Sequence, residues 1–261
     1  SNNILLKAAL EKSIINPGEQ VVVNGEIVTN PINPSSITIN FKVGTETHSL
    51  TPTAQTFKGS FGIPTDMAAD TYSVLVTASD KYGNSGYITL PLTVRRVATA
   101  MDVVVNRKTF KPSEVLDINV DVLDQTGKAM DELVQLQIQD PNKKDIFNSK
   151  IFSGQDVNVE FGRFSVPGFY TVVATQPERG LKDEDTVTVE QNLQLSVDYA
   201  ENTIFIKNQG NIPYNTPVDI VVVDKESPEE KQYVIRREIN LNPQEELGLS
   251  LAEEVPPGKY D

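Results

Sequence analysis

The residues able to do chemistry in this chain are carboxylates, amides and one histidine. His48 adjoins Ser49, and a serine–histidine–acid triad needs only one imidazole. No Gly-X-Ser-X-Gly elbow accompanies it, and Thr47-His48-Ser49 reads as part of a hairpin, which predicts a solvated loop histidine. Asp117 and Asp121 could be posed as a glycosidase pair. They fall on one side of an alternating strand with Asn119 between them, the pattern of a solvent face. The chain has no tryptophan and its aromatic content is 7%, so the stacking platforms of a sugar cleft are not in evidence. Hard oxygen donors gathered in loops suit calcium. The candidates are Asp80 with Asn84, Asp140 with Asp145, and the run Asp183-Glu184-Asp185. None follows the EF-hand spacing, and the same residue types are ordinary turn formers; both readings stay open. The mixed-charge segment from Lys225 to Lys231 reads as a solvated hairpin tip. No residue is assigned a catalytic, cofactor-binding or metal-ligating role, and the chain is read as not an enzyme.

Composition narrows the partners. The 261 residues carry a formal charge of −13, which opposes binding to nucleic acid and to anionic membranes. There is no cysteine, so disulfides, thiolate nucleophiles and thioesters are excluded. Apolar packing alone must then hold each domain. No run approaches the roughly 20 apolar residues of a membrane helix, and no Asn-X-Ser/Thr acceptor occurs, since Asn33-Pro34-Ser35 carries a proline.

The elements that would position these residues are strands. Ile37, Ile39, Phe41 and Val43 alternate with Thr38, Asn40 and Lys42; Leu116, Ile118, Val120 and Val122 alternate with Asp117, Asn119 and Asp121. Pro91 interrupts the run Tyr87 to Val94, which places that strand at a sheet edge or a bulge. A turn leading into a tyrosine-headed strand recurs at Tyr72, Tyr170 and Tyr260, about one β-sandwich domain apart. Tyr72 and Tyr170 should be largely buried, each with its hydroxyl bonded to backbone near its own turn. The chain is therefore read as all-β: three tandem Ig-like β-sandwich domains over residues 1–96, 97–190 and 191–261, without an appreciable helix. Leu247, Leu249 and Leu251 supply the last strand before Tyr260, and a longer loop spans Gln176 to Asp183. The third domain stops where its tyrosine strand should begin, so it is expected to be truncated at its C-terminus.

The second domain resembles the macroglobulin-like Ig domains of microbial surface proteins. Pro112 and Glu114 precede an alternating strand, Asp124 and Gly127 form a turn, Asp140-Pro141 follows the next strand, and Pro167-Gly168 leads to Tyr170. The first domain is similar but lacks the Asp-Pro pair. The third resembles the adhesion-related CARDB type through Asn208-Gln209-Gly210-Asn211. These resemblances imply an extracellular or cell-surface, prokaryotic, modular protein. Its expected role is a non-catalytic structural or adhesion stalk, or a surface-layer segment, of a longer protein. The alternative is a macroglobulin-like segment or accessory module of a secreted enzyme whose active site lies elsewhere. Partners would be proteins, met through neighbouring domains or sheet edges. No cofactor is expected unless calcium binds.

Overall fold

The structure, a computed structural model, describes residues 3–29, 33–224, 226 and 232–257. The first sandwich contains β1 (Leu6–Leu10), β2 (Ile14–Ile15), β3 (Gln20–Ile27), β4 (Ile37–Val43), β5 (Glu46–Leu50), β6 (Thr56–Gly62), β7 (Asp70–Asp80) and β8 (Ser85–Val94). Its sheets have the orders β1-β3-β6 and β2-β8-β7-β4-β5. The second sandwich contains β9 (Ala98–Val105), β10 (Thr109–Phe110), β11 (Val115–Asp124), β12 (Ala129–Met130), β13 (Leu133–Gln139), β14 (Asp145–Phe152), β15 (Val157–Glu160), β16 (Gly168–Gln176) and β17 (Leu181–Val189). It repeats the plan: β11 joins β15, β12 and β9, and the other sheet runs β10-β17-β16-β13-β14. In both, the short second strand pairs in parallel with the last one, β2 with β8 and β10 with β17.

The third region contains β18 (Leu195–Ala200), β19 (Thr203–Asn208), β20 (Val218–Val223), β21 (Gln232–Arg237), β22 (Glu246–Ser250) and a short helix α1 (Leu251–Glu254). Here the orders are β18-β19-β22 and β20-β21. By compactness the chain divides into two units. One holds Ser1–Ala100 with Val122–Met130, the other Met101–Asp121 with Asp131–Asp261.

Alternation explains the cores. Leu116, Ile118, Val120 and Val122 are all buried, while Asp117 between them is exposed. In the first sandwich Phe41 meets Phe61 at 5.8 Å and Phe57 at 6.2 Å between ring centroids. Gly59 makes room for that cluster, since a Cβ there would lie 2.4 Å from the Phe41 ring. In the second, Phe161 packs between Phe110 at 5.2 Å and Tyr170 at 5.1 Å. Burying each such ring stabilises by about 1.5–3 kcal/mol.

The tyrosines do what their position demands. The Tyr170 hydroxyl donates to the Val166 carbonyl and that of Tyr72 to the Ala68 carbonyl, each at 2.9 Å and four residues upstream. This is the corner that pins the start of such a strand in Ig-type sandwiches. Tyr170 is buried, but Tyr72 is only half-buried. The third tyrosine, Tyr260, lies outside the described residues, as do Lys225 and Ser227 to Lys231 of the charged segment. Pro91 sits in β8 opposite Ser73, and β2 covers that strand's far side only at Thr93 and Val94, so the proline faces an open edge.

Three expectations are corrected. His48 is not a loop residue: it lies in β5 opposite Phe41, half-buried, its ring stacked on Phe61 at 4.7 Å. The span Gln176 to Asp183 is not all loop. A single 3-10 turn, Pro177–Arg179, ends at Gly180, and β17 starts at Leu181 because it pairs with β16 along its full length. Leu251 closes no strand but opens α1, where its buried side chain joins the third core.

Candidate functional site

Two of the carboxylates suited to calcium, Asp80 and Asp140, are turn caps, and Asp124 caps a third turn in the same way. Asp80, Asp124 and Asp140 each head a five-residue reversal of one design. Asp80 Oδ1 accepts from the N–H groups of Tyr82 (2.8 Å) and Asn84 (3.0 Å). Asp124 Oδ1 accepts from the N–H groups of Thr126 (2.8 Å) and Lys128 (3.0 Å), and Asp140 Oδ1 from those of Asn142 (2.8 Å) and Lys144 (2.9 Å). The fourth residue is left-handed each time: Gly83 at φ 83, Gly127 at φ 78 and Lys143 at φ 65. This is a three-residue hairpin loop, a turn followed by a left-handed residue, with an aspartate satisfying the inner amides. The side-chain amide of Asn84, donating to Asp80 Oδ2 at 2.7 Å, does most to hold the Asp80 carboxyl below the ordinary range. Asp124 is also held well below its ordinary range, by the Thr126 hydroxyl first and the Arg96 guanidinium second.

A second device also recurs. In Asn16-Pro17-Gly18-Glu19 and Lys111-Pro112-Ser113-Glu114 the last N–H donates to the first carbonyl, at 3.2 Å in both. The glutamate side chain then accepts from the first N–H, at 3.0 Å and 2.6 Å. The sequence marked the second of these through Pro112 and Glu114; a third, Asn242-Pro243-Gln244-Glu245, carries the same bonds at 3.0 Å and 2.7 Å. The signal was present as a proline two residues before a glutamate. The third residue has positive φ throughout: Gly18 at 76, Ser113 at 69, Gln244 at 74. Backbone donation from Lys111 and from Asn242 lowers the carboxyls of Glu114 and Glu245 respectively.

The remaining candidates are dispersed. Asp117 bonds Asn106 Nδ2 at 2.9 Å, and Asn119 Nδ2 donates to Asp156 at 3.1 Å, so the posed Asp117–Asp121 pair is embedded in strand decoration. Asp145 accepts from Gln137, Gln139 and Asn148 at 2.9–3.0 Å on the outer sheet face; Gln137 contributes most to its lowered pKa. Asp183, Glu184 and Asp185 alternate along β17. Asp183 accepts from the Val103 N–H at 2.8 Å, Glu184 pairs with Lys182 at 2.8 Å, and Asp185 pairs with Lys108. His48 Nε2 is buried against Phe61 without a hydrogen-bond partner. Among the described residues no group of three or more His, Asp and Glu is placed to hold a metal ion.

Two buried polar side chains lie where one sandwich passes into the next. Asn211, 5% exposed, donates through Nδ2 to the carbonyls of Ser165 (3.0 Å) and Glu190 (2.9 Å). Its Oδ1 accepts from the N–H of Asn192 at 2.7 Å, and its own N–H donates to the Asn192 carbonyl at 2.9 Å. One side chain thus binds the end of the second sandwich, the connection and the third region. Gly210 permits the approach, since a Cβ there would stand 2.1 Å from the Asn192 carbonyl oxygen. Arg163 adds a bond from Nε to the Gln209 carbonyl at 3.3 Å. Gln125, 8% exposed, does the same for the segment around Arg95: its Oε1 accepts from the Val97 N–H (2.9 Å), and its Nε2 donates to the carbonyls of Arg95 (3.0 Å) and Met67 (3.2 Å). The sequence marked both positions only as turns.

No family model matches the chain, and no curated protein does. Solved structures do. A tetra-tandem repeat from the extending region of a large adhesion protein is 14% identical, covering 96% of this chain and 67% of that one, with a TM-score of 0.38. Trypsin-activated alpha-2-macroglobulin from Escherichia coli is 8% identical, covering 95% of this chain, with a TM-score of 0.28. The native conformation of the same macroglobulin gives 11% and 0.30. The chain spans about a fifth of the macroglobulin chains it matches.

Proposed function

We propose that this chain is a non-catalytic spacer: a structural or adhesion-stalk segment of a longer secreted or cell-surface prokaryotic protein, its third region of the CARDB type. The observation that carries the reading is Asn211. A buried amide satisfied by three backbone groups on two sides of a connection is costly to disrupt, because each freed partner becomes a buried unsatisfied group. A chain that only tethered two domains would need no such lock; one that must hold their spacing does. The capped turns support the same reading, since their carboxylates are occupied by their own loops and are directed at no common point.

The lack of cysteine makes the test clean. Spin labels on Lys150→Cys, in the second sandwich, and Asp219→Cys, in the third, should give a single narrow distance distribution by double electron–electron resonance. Adding Asn211→Ala should broaden it while both sandwiches stay folded. A distribution already broad with Asn211 in place would overturn the spacer reading, because the connection would then be a loose tether.

A further inference from the structure

The first and second sandwiches each contain one short pair of strands that runs against the antiparallel habit of the rest. In the first, Ile14 of β2 lies opposite Thr93 of β8, and Ile15 opposite Val94. In the second, Thr109 of β10 lies opposite Thr188 of β17, and Phe110 opposite Val189. The bonds fall at equivalent places. The Thr93 N–H donates to the Ser13 carbonyl at 2.8 Å and the Arg95 N–H to that of Ile15 at 2.9 Å. Likewise the Thr188 N–H donates to the Lys108 carbonyl at 2.7 Å and the Glu190 N–H to that of Phe110 at 2.8 Å. Ile15, Val94, Phe110 and Val189 are all buried, so the core shields these bonds from water on one side. In each pair one strand is the second of its sandwich and the other is the last.

We propose that these parallel pairs are clamps that let each of the two sandwiches resist tension applied along the chain. The proposal rests on the spacer reading, since a spacer is pulled at its two ends. Stretching draws β2 toward its own N-terminus and β8 toward its own C-terminus. Strands that run the same way must then slide past each other, and the bonds between them are strained together. A hairpin pulled at its two open ends, by contrast, unzips one bond at a time. A two-residue strand would slip as a whole unless it were held from behind, and the proline–glutamate turn holds it. The turn opens at Asn16, directly after β2, and at Lys111, directly after β10. Each turn is itself bonded to a neighbouring segment. In the first sandwich the Gly18 N–H donates to the Pro64 carbonyl and the Ile63 N–H to that of Glu19, both at 3.2 Å. In the second, Ser113 donates to Phe161 at 2.9 Å and Phe161 to Glu114 at 3.0 Å. The third such turn, at Asn242, lies in a region whose described strand pairs are all antiparallel. The resistance therefore belongs to the parallel pairs, and the turns only anchor them.

The test stretches the whole chain through Lys12→Cys and Ala100→Cys, exposed positions beyond the two ends of the first clamp and the only thiols present. Arg95→Pro removes one clamp bond just past the end of β8, where the preceding Val94 is already extended. The lifetime of the first sandwich under constant tension should fall by roughly five- to tenfold, the loss of one hydrogen bond. Its unfolding rate in denaturant without tension should change clearly less. Arg95→Ala, which keeps the N–H, should leave the lifetime under tension unchanged. Thr93→Pro serves as a second variant if the first does not fold, and should give the same fall. Like Pro91 two residues before it, Thr93 turns its backbone nitrogen away from β7. Equal lifetimes under tension for the proline and alanine variants would overturn the proposal, as would a proline effect equally large without tension. Both handles flank the first sandwich, so a loose connection at Asn211, which would overturn the spacer reading, leaves this outcome unaffected.

Discussion

The second sandwich and the third region share their local chemistry and differ in coverage. Both contain the proline–glutamate turn, and in both that turn is seated on the adjoining strand by a reciprocal pair of backbone bonds. These are Ser113 to Phe161 with Phe161 to Glu114, at 2.9 and 3.0 Å, and Gln244 to Asn208 with Asn208 to Glu245, at 3.0 Å each. The second closes around Phe161 and Tyr170, whereas the third has no aromatic ring among its described, fully buried residues and leaves Val197 and Tyr199 of β18 exposed. Turn chemistry therefore sets strand direction and register, while most of the stability comes from the apolar area the paired sheets remove from water.

The largest effect should come from removing the Tyr170 ring around which the second sandwich closes. Tyr170→Ala should cost about 3–5 kcal/mol, a core aromatic deletion. Tyr72→Ala should cost clearly less, because Tyr72 is half-buried although its hydroxyl bond has the same geometry. Denaturant midpoints of the two variants measure the difference. Equal losses would mean that the hydroxyl bond, not the buried area, pins the corner.

Next comes acid. The Asp124 carboxyl is held well below its usual range by Thr126 and Arg96, the latter donating at 2.7 Å. A depressed folded pKa means that the unfolded chain takes up the proton first. The stabilisation is thus fully present above the unfolded carboxyl value of about 4 and fades as pH falls below it. Asp124→Asn should lower stability at neutral pH and flatten the acid limb of a stability–pH curve. An acid limb identical to that of the unchanged chain would remove Asp124 as its source.

Much of this was legible in the sequence where one short period or one turn decides the outcome. The alternation in β11, the proline at an open edge of β8 and the hydroxyl bonds of Tyr72 and Tyr170 are local facts, and the structure keeps them. The misreadings share a cause: the deciding partner is distant in the chain. His48 looked solvated because Thr47 and Ser49 flank it, yet an inward position on an edge strand accepts an imidazole when Phe61 offers its ring. Leu181 to Asp183 looked like loop because it is charged, yet β16 pairs with it regardless. Asn211 looked like a turn residue because the Ser165 carbonyl it holds lies 46 residues away. Leu251 looked like strand by alternation, and the helix replaces it just past Ser250.

The smallest effect isolates the turn itself. Ser113 and Gln244 adopt the left-handed conformation that Gly18 adopts freely, and a side chain there is strained. Replacing either by glycine relieves that strain but gives the unfolded chain more freedom to lose on folding. The two changes oppose each other, so Ser113→Gly and Gln244→Gly should each stabilise by no more than about 0.5–1 kcal/mol. Gly18→Ala should destabilise, since it adds the strain and places a Cβ 2.9 Å from the Thr65 side chain. Thermal melts of the three variants rank them. If Gln244→Gly gains as much as Ser113→Gly, the turn acts alike in both settings, and coverage alone separates the second sandwich from the third. If only Ser113→Gly gains, the turn's contribution depends on the closed core behind it.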